Sequence, residues 1–450
     1  MQDLPYDTED PICALATPWV PSALAVIRTT GRGAIDTLSR FFSRPAALRS
    51  AAGHTVLHGR ILASDGAVLD DAVVTVFRAP ASSTGQDTVE LSCHGSLPGL
   101  RRILDTLTSG GFRPANPGEF TLRAFLNGKL DLTRAEAVNE LVAARTERAQ
   151  SLALDRLSGS VHARIETLKS RVLDLAALLN IQLDYAEDDV ETLPVPFGQL
   201  DAIREELRAL AATYRSGKVY QEGVTVALAG QTNAGKSSLF NLFLKEDRSI
   251  VSDEHGTTRD WLEAWVSLGG VPVRLIDTAG LREAENPVER EGIRRSRELI
   301  DACDVLLYLV DGTKGADRGD LAFLDAHASD PRLVTVLTKS DLAAPRGSGI
   351  GVSSATGSGF EELERAVLAK IPGHSEGGSG AVIDSLRQKQ LLDRAVAALD
   401  QVRFGAEQGA PIDMIALDVK DALDALGEIT GEVTTADVLT RMFSGFCVGK

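Results

Sequence analysis

The most visible chemistry in this chain lies in the run GQTNAGKS at residues 230–237, which fits the pattern G-x-x-x-x-G-K-[ST]. The run follows an apolar stretch at 224–229 and opens a helical pattern, the setting that this pattern requires. Backbone N–H groups of such a loop and of the helix N-terminus bind phosphate oxygens. We therefore predict a nucleoside triphosphate site in which Lys236 contacts the β- and γ-phosphates and Ser237 binds Mg²⁺.

Three later segments indicate that the nucleotide is GTP. In DTAG (277–280), Asp277 can hold Mg²⁺ through water, and the glycine N–H can face the γ-phosphate. In TKSD (338–341), Asp341 can accept hydrogen bonds from guanine N1–H and the 2-amino group, a donor pair that adenine lacks. SAT (354–356) is placed to close over the guanine ring. The four segments stand in the order of the translation-factor-like GTPases, which they resemble.

Two positions depart from that pattern. Thr338 stands where Asn is usual, which predicts a looser guanine loop. Leu281 stands just after DTAG, where small signalling GTPases place a water-orienting Gln. Either hydrolysis is slow, or another carboxylate and a cation replace that glutamine. Between the phosphate loop and DTAG, the run GTTRD (256–260) suits a switch loop, and we predict that its Thr258 binds Mg²⁺.

The elements that must position these segments alternate between strand and helix from about 223 to 372. Nearly all-apolar strands, typical of a parallel sheet buried on both faces, are predicted at 224–229, 271–276, 305–310 and 333–337. Helical patterns flank this block. A capping box, Thr133-Arg-Ala-Glu136, predicts a helix through Ala144, and further helices are predicted at 148–183, at 197–214 and in the tail. Strands at 23–28, 72–78 and 88–93 and a helix at 100–108 are predicted nearer the N-terminus.

We therefore predict a multidomain α/β protein. An N-terminal α+β domain spans 1–120, and an all-α helical domain is discontinuous, built from 121–215 and 380–450. A P-loop GTPase domain with a mostly parallel sheet, 216–379, is inserted into it and ends in a Gly/Ser-rich linker. Two separate helical bundles are the alternative, but neither half has many helices.

Composition excludes several classes of protein. With 450 residues, 44% hydrophobic and 24% charged, the chain is not a disordered chain, a collagen or a disulfide-stapled miniprotein. Its net charge of −16 argues against coating DNA or RNA through bulk charge. Four scattered cysteines without a C-x-x-C pair fit a reducing cytoplasm. The acidic first residues predict no secretory signal, and no apolar run reaches the ~18 residues of a membrane span.

Almost the whole chain resembles the MnmE (TrmE) family of tRNA-modification GTPases. The GTPase segments GQTNAGKSSLFN, GTTRD and DTAGLRE match, as do ATP (16–18), VIR (26–28) and TGQDTVELSCHG (84–95). The run RPANPGEFTLRAFLNGKLDLTRAEA (113–137) and the terminal FCVGK complete the likeness. The resemblance implies an N-terminal folate-binding domain that forms a homodimer, and a GTPase domain inserted into a discontinuous helical domain.

The resemblance also implies a potassium ion beside Asn233 that drives pairing of GTPase domains and replaces an arginine finger. The other potassium ligands correspond to Ser252, Glu254 and Thr257, and the water-activating glutamate to Glu289. The predicted contacts with GTP and its ions are Asn233, Ala234, Gly235, Lys236, Ser237, Ser238, Ser252, Asp253, Glu254, His255, Gly256, Thr257, Thr258, Asp277, Thr278, Ala279, Gly280, Thr338, Lys339, Ser340, Asp341, Ser354, Ala355 and Thr356.

In the N-terminal domain the resemblance implies 5-formyltetrahydrofolate, or a related folate, held by Arg28, Glu90, Lys129 and Lys450. A carboxylate can pair with the amino-pyrimidine edge of a pterin, and cations suit the glutamate tail. Cys447 corresponds to a candidate reactive thiol of the family. The alternative is that Cys447 is a small buried hydrophobic residue between two apolar neighbours.

For function, the resemblance implies that the homodimer works with a FAD-dependent partner (MnmG) as a heterotetramer. Together they install a carboxymethylaminomethyl-type group on C5 of wobble uridines in certain tRNAs. The alternative is a GTP-dependent switch in ribosome or RNA assembly, without modification chemistry. Such a factor usually carries a basic RNA-binding domain, and no segment here is basic. Binding of tRNA phosphates should therefore depend on local Arg clusters or on the partner.

Overall fold

The computed structural model describes residues 6–184, 195–246, 262–277, 298–344, 346–374 and 380–449. Its strands are β1 (Ile12–Leu15), β2 (Ser22–Thr30), β3 (Thr55–Leu62), β4 (Val68–Phe77), β5 (Thr88–Gly95), β6 (Arg113–Pro114), β7 (Val224–Gly230), β8 (Leu262–Leu268), β9 (Val271–Asp277), β10 (Val305–Asp311), β11 (Leu333–Thr338) and β12 (Ile350–Val352). Its helices are α1 (Ala34–Ser39), α2 (Pro45–Ser50), α3 (Leu97–Ser109), α4 (Glu119–Leu126), α5 (Leu132–Ala143), α6 (Glu147–Leu157), α7 (Ser160–Asp184), α8 (Phe197–Ala212), α9 (Tyr214–Glu222), α10 (Lys236–Glu246), α11 (Arg318–Ala326), α12 (Phe360–Lys370), α13 (Leu386–Glu407), α14 (Ile412–Thr430) and α15 (Ala436–Phe443).

The chain divides into two compact units. The first comprises Met1–Asn139, Leu157–Val195 and Gly405–Lys450, and the second comprises Glu140–Arg156 and Pro196–Phe404. The predicted boundaries near residues 120, 215 and 380 separate three domains and stay a prediction. No helix in the described residues is both long and apolar enough to cross a membrane.

A six-stranded sheet organises the start of the first unit. Its strand order is β3-β4-β5-β2-β1-β6, and every neighbouring pair is antiparallel except β1 and β6. Alternate strand residues such as Val74 and Leu91 are fully buried together with Leu38 of α1 and Ile103 of α3. The three strands and the helix predicted here are confirmed, and β1, β3 and β6 are additions that the pattern did not indicate.

Two corrections to the sequence analysis concern the helices that follow Leu132. The predicted capping box is wrong, because Thr133 lies inside α5 and the Asp131 carboxylate accepts from the backbone N–H groups of Thr133 and Arg134 at 2.9 and 3.2 Å. The single helix predicted at 148–183 is two helices, α6 and α7. They separate at Gly159, whose φ of +101° favours glycine and where a Cβ would meet the Arg134 guanidinium at 2.3 Å.

The second unit contains a second six-stranded sheet, ordered β12-β11-β10-β7-β9-β8. All neighbouring pairs are parallel except β8 and β9, which form an antiparallel hairpin at one edge. Helices α10 and α12 pack on one face, where Phe243 and Leu363 join the core, and Tyr308 lies in the core of the other face. The four predicted parallel strands are confirmed, and β8 and β12 are additions.

Candidate functional site

The phosphate loop connects β7 to α10 at the carboxyl end of the parallel strands. Asn233 adopts a positive φ of 66°, and Lys236 is the first residue of α10. The Lys236 ammonium donates to the carbonyl oxygens of Gly230 at 2.9 Å and Gln231 at 3.0 Å, so its side chain folds back over the loop. Burial lowers the pKa of Lys236, and the nearby Asp277 carboxylate opposes this shift only in part. The loop thus places a poorly hydrated cation beside the helix N-terminus, an arrangement suited to phosphate oxygens.

Two side chains with oxygen ligands suited to Mg²⁺ meet beside this loop. The Ser237 hydroxyl donates to Asp277 Oδ2 at 3.0 Å, and Asp277 ends β9 with only 8% of its surface exposed. The other carboxylate oxygen, Oδ1, is buried without a hydrogen-bond partner. Burial raises the pKa of Asp277, against the hydrogen bond from Ser237 and the charge of Lys236. A hydroxyl next to an unpaired carboxylate oxygen fits Mg²⁺ with its bound water.

The guanine loop follows β11 and is tied to the phosphate loop. The Thr338 side chain is buried. Its hydroxyl donates to the carbonyl oxygens of Ala234 at 2.7 Å and Val310 at 3.2 Å. These hydrogen bonds connect the guanine loop to the phosphate loop, and the looser guanine loop stays a prediction. Lys339 has a positive φ of 61°, and its ammonium lies 2.6 Å from Asp311 Oδ2.

Asp311 is a residue of this site that the sequence analysis missed. Although burial by itself raises its pKa, the hydrogen bonds from Lys339 and Thr313 lower the pKa of Asp311 to about 2. It ends the buried strand β10, next to β11 in the sheet, and this position at a carboxyl strand end is the signal that could have found it.

The third loop of the guanine site follows β12. The backbone N–H of Ser340 donates to the Val352 carbonyl at 3.3 Å, so the TKSD and SAT segments are neighbours at one edge of the sheet. Asp341 is exposed, and Ser354 lies partly exposed in the turn after β12. The sheet thus brings the predicted phosphate, Mg²⁺ and guanine residues of the described chain to a single edge.

Several predicted site residues lie outside the described residues. They are Ser252, Asp253, Glu254, His255, Gly256, Thr257, Thr258, Thr278, Ala279, Gly280, Glu289 and Lys450.

A second cluster of predicted residues lies in the first unit. Arg28 and Glu90 face each other across β2 and β5, and Arg28 Nε and Nη2 donate to Glu90 Oε1 at 2.9 and 2.8 Å. Arg28 Nη1 donates to the Gly449 carbonyl at 3.2 Å, and its guanidinium lies 5.7 Å from the centroid of the Phe120 ring. The exposed Lys129 instead donates to the Pro80 carbonyl at 3.1 Å. The fold therefore joins Arg28, Glu90 and the C-terminal tail.

The C-terminal tail is anchored by aromatic packing. Phe443 and Phe446 are buried with Leu122 of α4, and their ring centroids are 5.0 Å apart. The Cys447 carbonyl accepts from the Gly118 N–H at 3.3 Å, but the Cys447 side chain is exposed. The alternative that Cys447 is a buried hydrophobic residue is therefore wrong.

A phosphate loop and a guanine loop at the carboxyl edge of this sheet define a P-loop GTPase. A family model described as the MnmE helical domain matches residues 132–447, and one described as the N-terminus of GTP-binding protein TrmE matches residues 11–129. The chain belongs to the MnmE family of tRNA modification GTPases, and its GTPase sheet is inserted within the helical-domain match.

Similar proteins named tRNA modification GTPase MnmE match the whole chain. The Borreliella burgdorferi protein is 41% identical over 461 residues, 99% of each chain. The Treponema denticola protein is 42% identical over 474 residues, 100% of each chain, and the Aquifex aeolicus protein is 39% identical over 98% of this chain and 100% of its own. Among solved structures, the G domain of the T. maritima FeoB iron transporter covers 33% of this chain and 98% of its own, with 26% identity and a TM-score of 0.27.

Proposed function

We propose that this GTPase is stimulated by potassium and that, with a FAD-dependent partner, it installs a carboxymethylaminomethyl-type group on C5 of the wobble uridine of certain tRNAs. The observation that carries the proposal is the full-length similarity to tRNA modification GTPases. The geometry of the phosphate and guanine loops supports its GTP-dependent half.

In this proposal GTP lies with its phosphates against the N-terminus of α10 and its base against Asp341 and the 354–356 loop. Lys236 contacts the β- and γ-phosphates. Ser237 and Thr258 would hold Mg²⁺, with Asp277 acting through water, and the ion would supply positive charge against the phosphates. The adjacent Ser237 hydroxyl and unpaired Asp277 Oδ1 support this assignment.

Potassium would lie beside Asn233, with Ser252, Glu254 and Thr257 as its other ligands. A cation there offsets negative charge that develops during phosphoryl transfer, which is the role of an arginine finger in other GTPases. Glu289 would orient the attacking water in place of the glutamine that is absent at Leu281. Among the described residues, Asn233 supports this assignment, because its positive φ puts it in the bend of the phosphate loop.

A folate site in the N-terminal part, 1–120, forms the second half of the proposal. Both hydrogen bonds that Arg28 donates to Glu90 end on Oε1, so Oε2 is left to accept from the amino-pyrimidine edge of the folate. Lys129 and Lys450 would attract the glutamate tail. The bond from Arg28 to the Gly449 carbonyl supports this, because it places the residue before Lys450 at the pair.

The exposed Cys447 would serve the modification step, through reaction or by contact with folate. We further propose a cytoplasmic homodimer formed through residues 1–120, which binds the partner as a heterotetramer and acts on tRNA. The domains are those of the sequence analysis: 1–120, then 121–215 with 380–450, and 216–379.

Nucleoside analysis of tRNA tests the proposal. Cells that lack this chain should lose a C5-modified wobble uridine, and the cloned chain should restore it. If the nucleosides are unchanged and ribosomal subunits accumulate as precursors, the chain is an assembly switch instead.

A further inference from the structure

Residues 145–156 are covered by the helical-domain family match, yet they pack on the GTPase sheet. This segment comprises the turn after α5 and helix α6 as far as Arg156. It belongs to the unit that contains the sheet. Leu152 is buried in the same apolar core as Val266 of β8 and Val271 of β9. The segment therefore packs in one compact unit with the GTPase sheet, although the chain continues from it into helices of the other unit.

The start of the segment contacts the β8–β9 hairpin. The Thr146 hydroxyl donates to the Gly270 carbonyl in the hairpin turn at 2.8 Å, and Thr146 is only 7% exposed. The Arg145 guanidinium lies 4.0 Å from the centroid of the Trp265 ring, a cation–π contact. A Cβ at Gly270 would lie 3.1 Å from the Arg148 Cβ, so the turn approaches the helix as closely as glycine allows. The hairpin and the segment are thus in direct polar and aromatic contact.

The same hairpin leads to the nucleotide site at its other end. Strand β8 begins directly after the segment 247–261, which contains the predicted switch threonine, and β9 ends at Asp277, which accepts from Ser237. The two strands pair continuously from Leu262↔Asp277 to Leu268↔Val271. Within the described sheet, β8 is an edge strand with β9 as its one neighbour. A displacement at the nucleotide end can therefore move β8 without breaking pairing to a second strand.

The end of the segment is fixed by buried charge. Arg156, only 2% exposed, donates to Glu140 Oε2 at 2.7 Å, lies 2.7 Å from Asp384 Oδ2 and donates to the Val382 carbonyl at 3.3 Å. The Gln221 amide donates to the Glu140 carbonyl at 3.0 Å. These contacts join α5 to the chain before the sheet through the Glu140 carbonyl, and to the chain after the sheet through the Arg156 guanidinium. Separating a buried ion pair is costly, so the segment moves together with α5.

We propose that the 145–156 segment transmits the nucleotide state from the β8–β9 hairpin to α5, and so couples GTP hydrolysis to tRNA modification. Arg145 and Thr146 are the positioning residues of this coupling, and neither is among the predicted GTP contacts. The inference rests on the GTPase and tRNA-modification activities of the family, and not on potassium or folate. Its physical basis is a continuous path through described residues: Asp277 at the end of β9, the paired strand β8 with Trp265, then Arg145 and α5.

Two substitutions test the coupling. Arg145→Met keeps the apolar stem and removes the charge over Trp265, and Thr146→Val removes the hydroxyl at similar volume. Purified variants should hydrolyse GTP within about twofold of the wild-type rate. In cells that lack the natural chain, each variant should restore at least fivefold less of the modified nucleoside than the wild-type chain does at an equal protein level. Arg145→Lys and Thr146→Ser keep the contacts and should restore the modified nucleoside to the wild-type level. The control Arg318→Met, on the exposed start of α11, should do the same.

Trp265 itself provides a spectroscopic test. In a Trp19→Phe, Trp261→Phe background, Trp265 is the remaining tryptophan. Its emission should differ between the GDP form and a non-hydrolysable GTP form of the full chain, and Arg145→Met should remove most of that difference. Identical emission in the two forms would overturn the proposal. Full modification by both Arg145→Met and Thr146→Val, or an equal loss of hydrolysis and modification, would overturn it as well.

Discussion

At the scale of single residues, one hydroxyl joins the guanine loop to the phosphate loop. Thr338→Val removes this hydroxyl at nearly constant volume and leaves the Ala234 carbonyl without its donor at 2.7 Å. A buried polar group that loses its partner costs about 1–3 kcal/mol. Because the phosphate loop then holds its shape less firmly, we expect GDP to dissociate about tenfold faster, measured by stopped-flow release of a fluorescent GDP.

The serine variant is the matched control for Thr338. Thr338→Ser keeps the hydroxyl and should release GDP at close to the wild-type rate. Equal release rates for the wild type and the valine variant would show that this hydrogen bond does not hold the loop.

The carboxylate of Glu90 is the second residue whose role can be measured directly. Glu90→Gln keeps the shape but removes the charge that faces Arg28, 2.8 Å away. A hydrogen bond to a charged group is worth about 1.5–3 kcal/mol, so 5-formyltetrahydrofolate should bind about ten- to a hundredfold more weakly by calorimetry. Asp71→Asn, a change to an exposed carboxylate of β4, should leave the affinity unchanged. If the two variants bind folate equally well, Glu90 does not belong to the site.

At the scale of elements, α5 and α6 meet at a buried cluster of two carboxyl groups and one guanidinium. Its members are Glu140, Asp384 and Arg156. Burial and the neighbouring Asp384 raise the pKa of Glu140 well above its ordinary value, and Arg156 opposes this shift only in part. The folded state therefore holds a proton that the unfolded state releases near pH 4.5. This contribution to stability is fully present below that pH and is lost as the pH rises through the folded pKa.

The expected consequence is a pH-dependent difference between two proteins. In Glu140→Gln the side chain at position 140 no longer titrates. The variant's free energy of unfolding relative to wild type should therefore rise with pH above about 5, by at most about 1.4 kcal/mol per pH unit. Urea midpoints measured from pH 5 to 8 check this slope. Glu147→Gln changes an exposed carboxylate on α6, and its stability should vary with pH in parallel with that of the wild type. A Glu140→Gln curve that also runs parallel would mean that Glu140 is ionised throughout.

At the scale of the whole molecule, GTP hydrolysis should depend on the monovalent cation. Leu281 stands where other GTPases place a water-orienting glutamine, and Asn233 lies in the bend of the phosphate loop. A potassium-sized ion there would offset charge in the transition state, so phosphate release should be at least tenfold faster in K⁺ than in Na⁺, on the order of other electrostatic contributions. Rates in the two salts at equal ionic strength check this, and equal rates would contradict it. ATP should not be a substrate, because it lacks the donors that Asp341 accepts.

Sequence alone determined the features that depend on neighbouring residues. The phosphate loop spans eight positions between a strand and a helix, and the four apolar runs predicted the parallel strands because a strand covered on both faces must be apolar throughout. Order along the chain also predicted the insertion, since helical patterns flank the sheet. The whole-chain resemblance supplied the family, which the comparisons confirm.

Tertiary structure alone decided the contacts between distant positions. The Thr338 hydroxyl meets a carbonyl 104 residues away, Arg28 meets one 421 residues away, and Thr146 meets the hairpin 124 residues away. The half-exposed residues of β8 did not predict a strand, because an edge strand is specified by its neighbour rather than by an apolar run. Exposure of Cys447 likewise follows from the burial of Phe443 and Phe446 beside it. Local patterns encode the backbone state of each segment, whereas these contacts arise only when whole elements pack and bury their surfaces together.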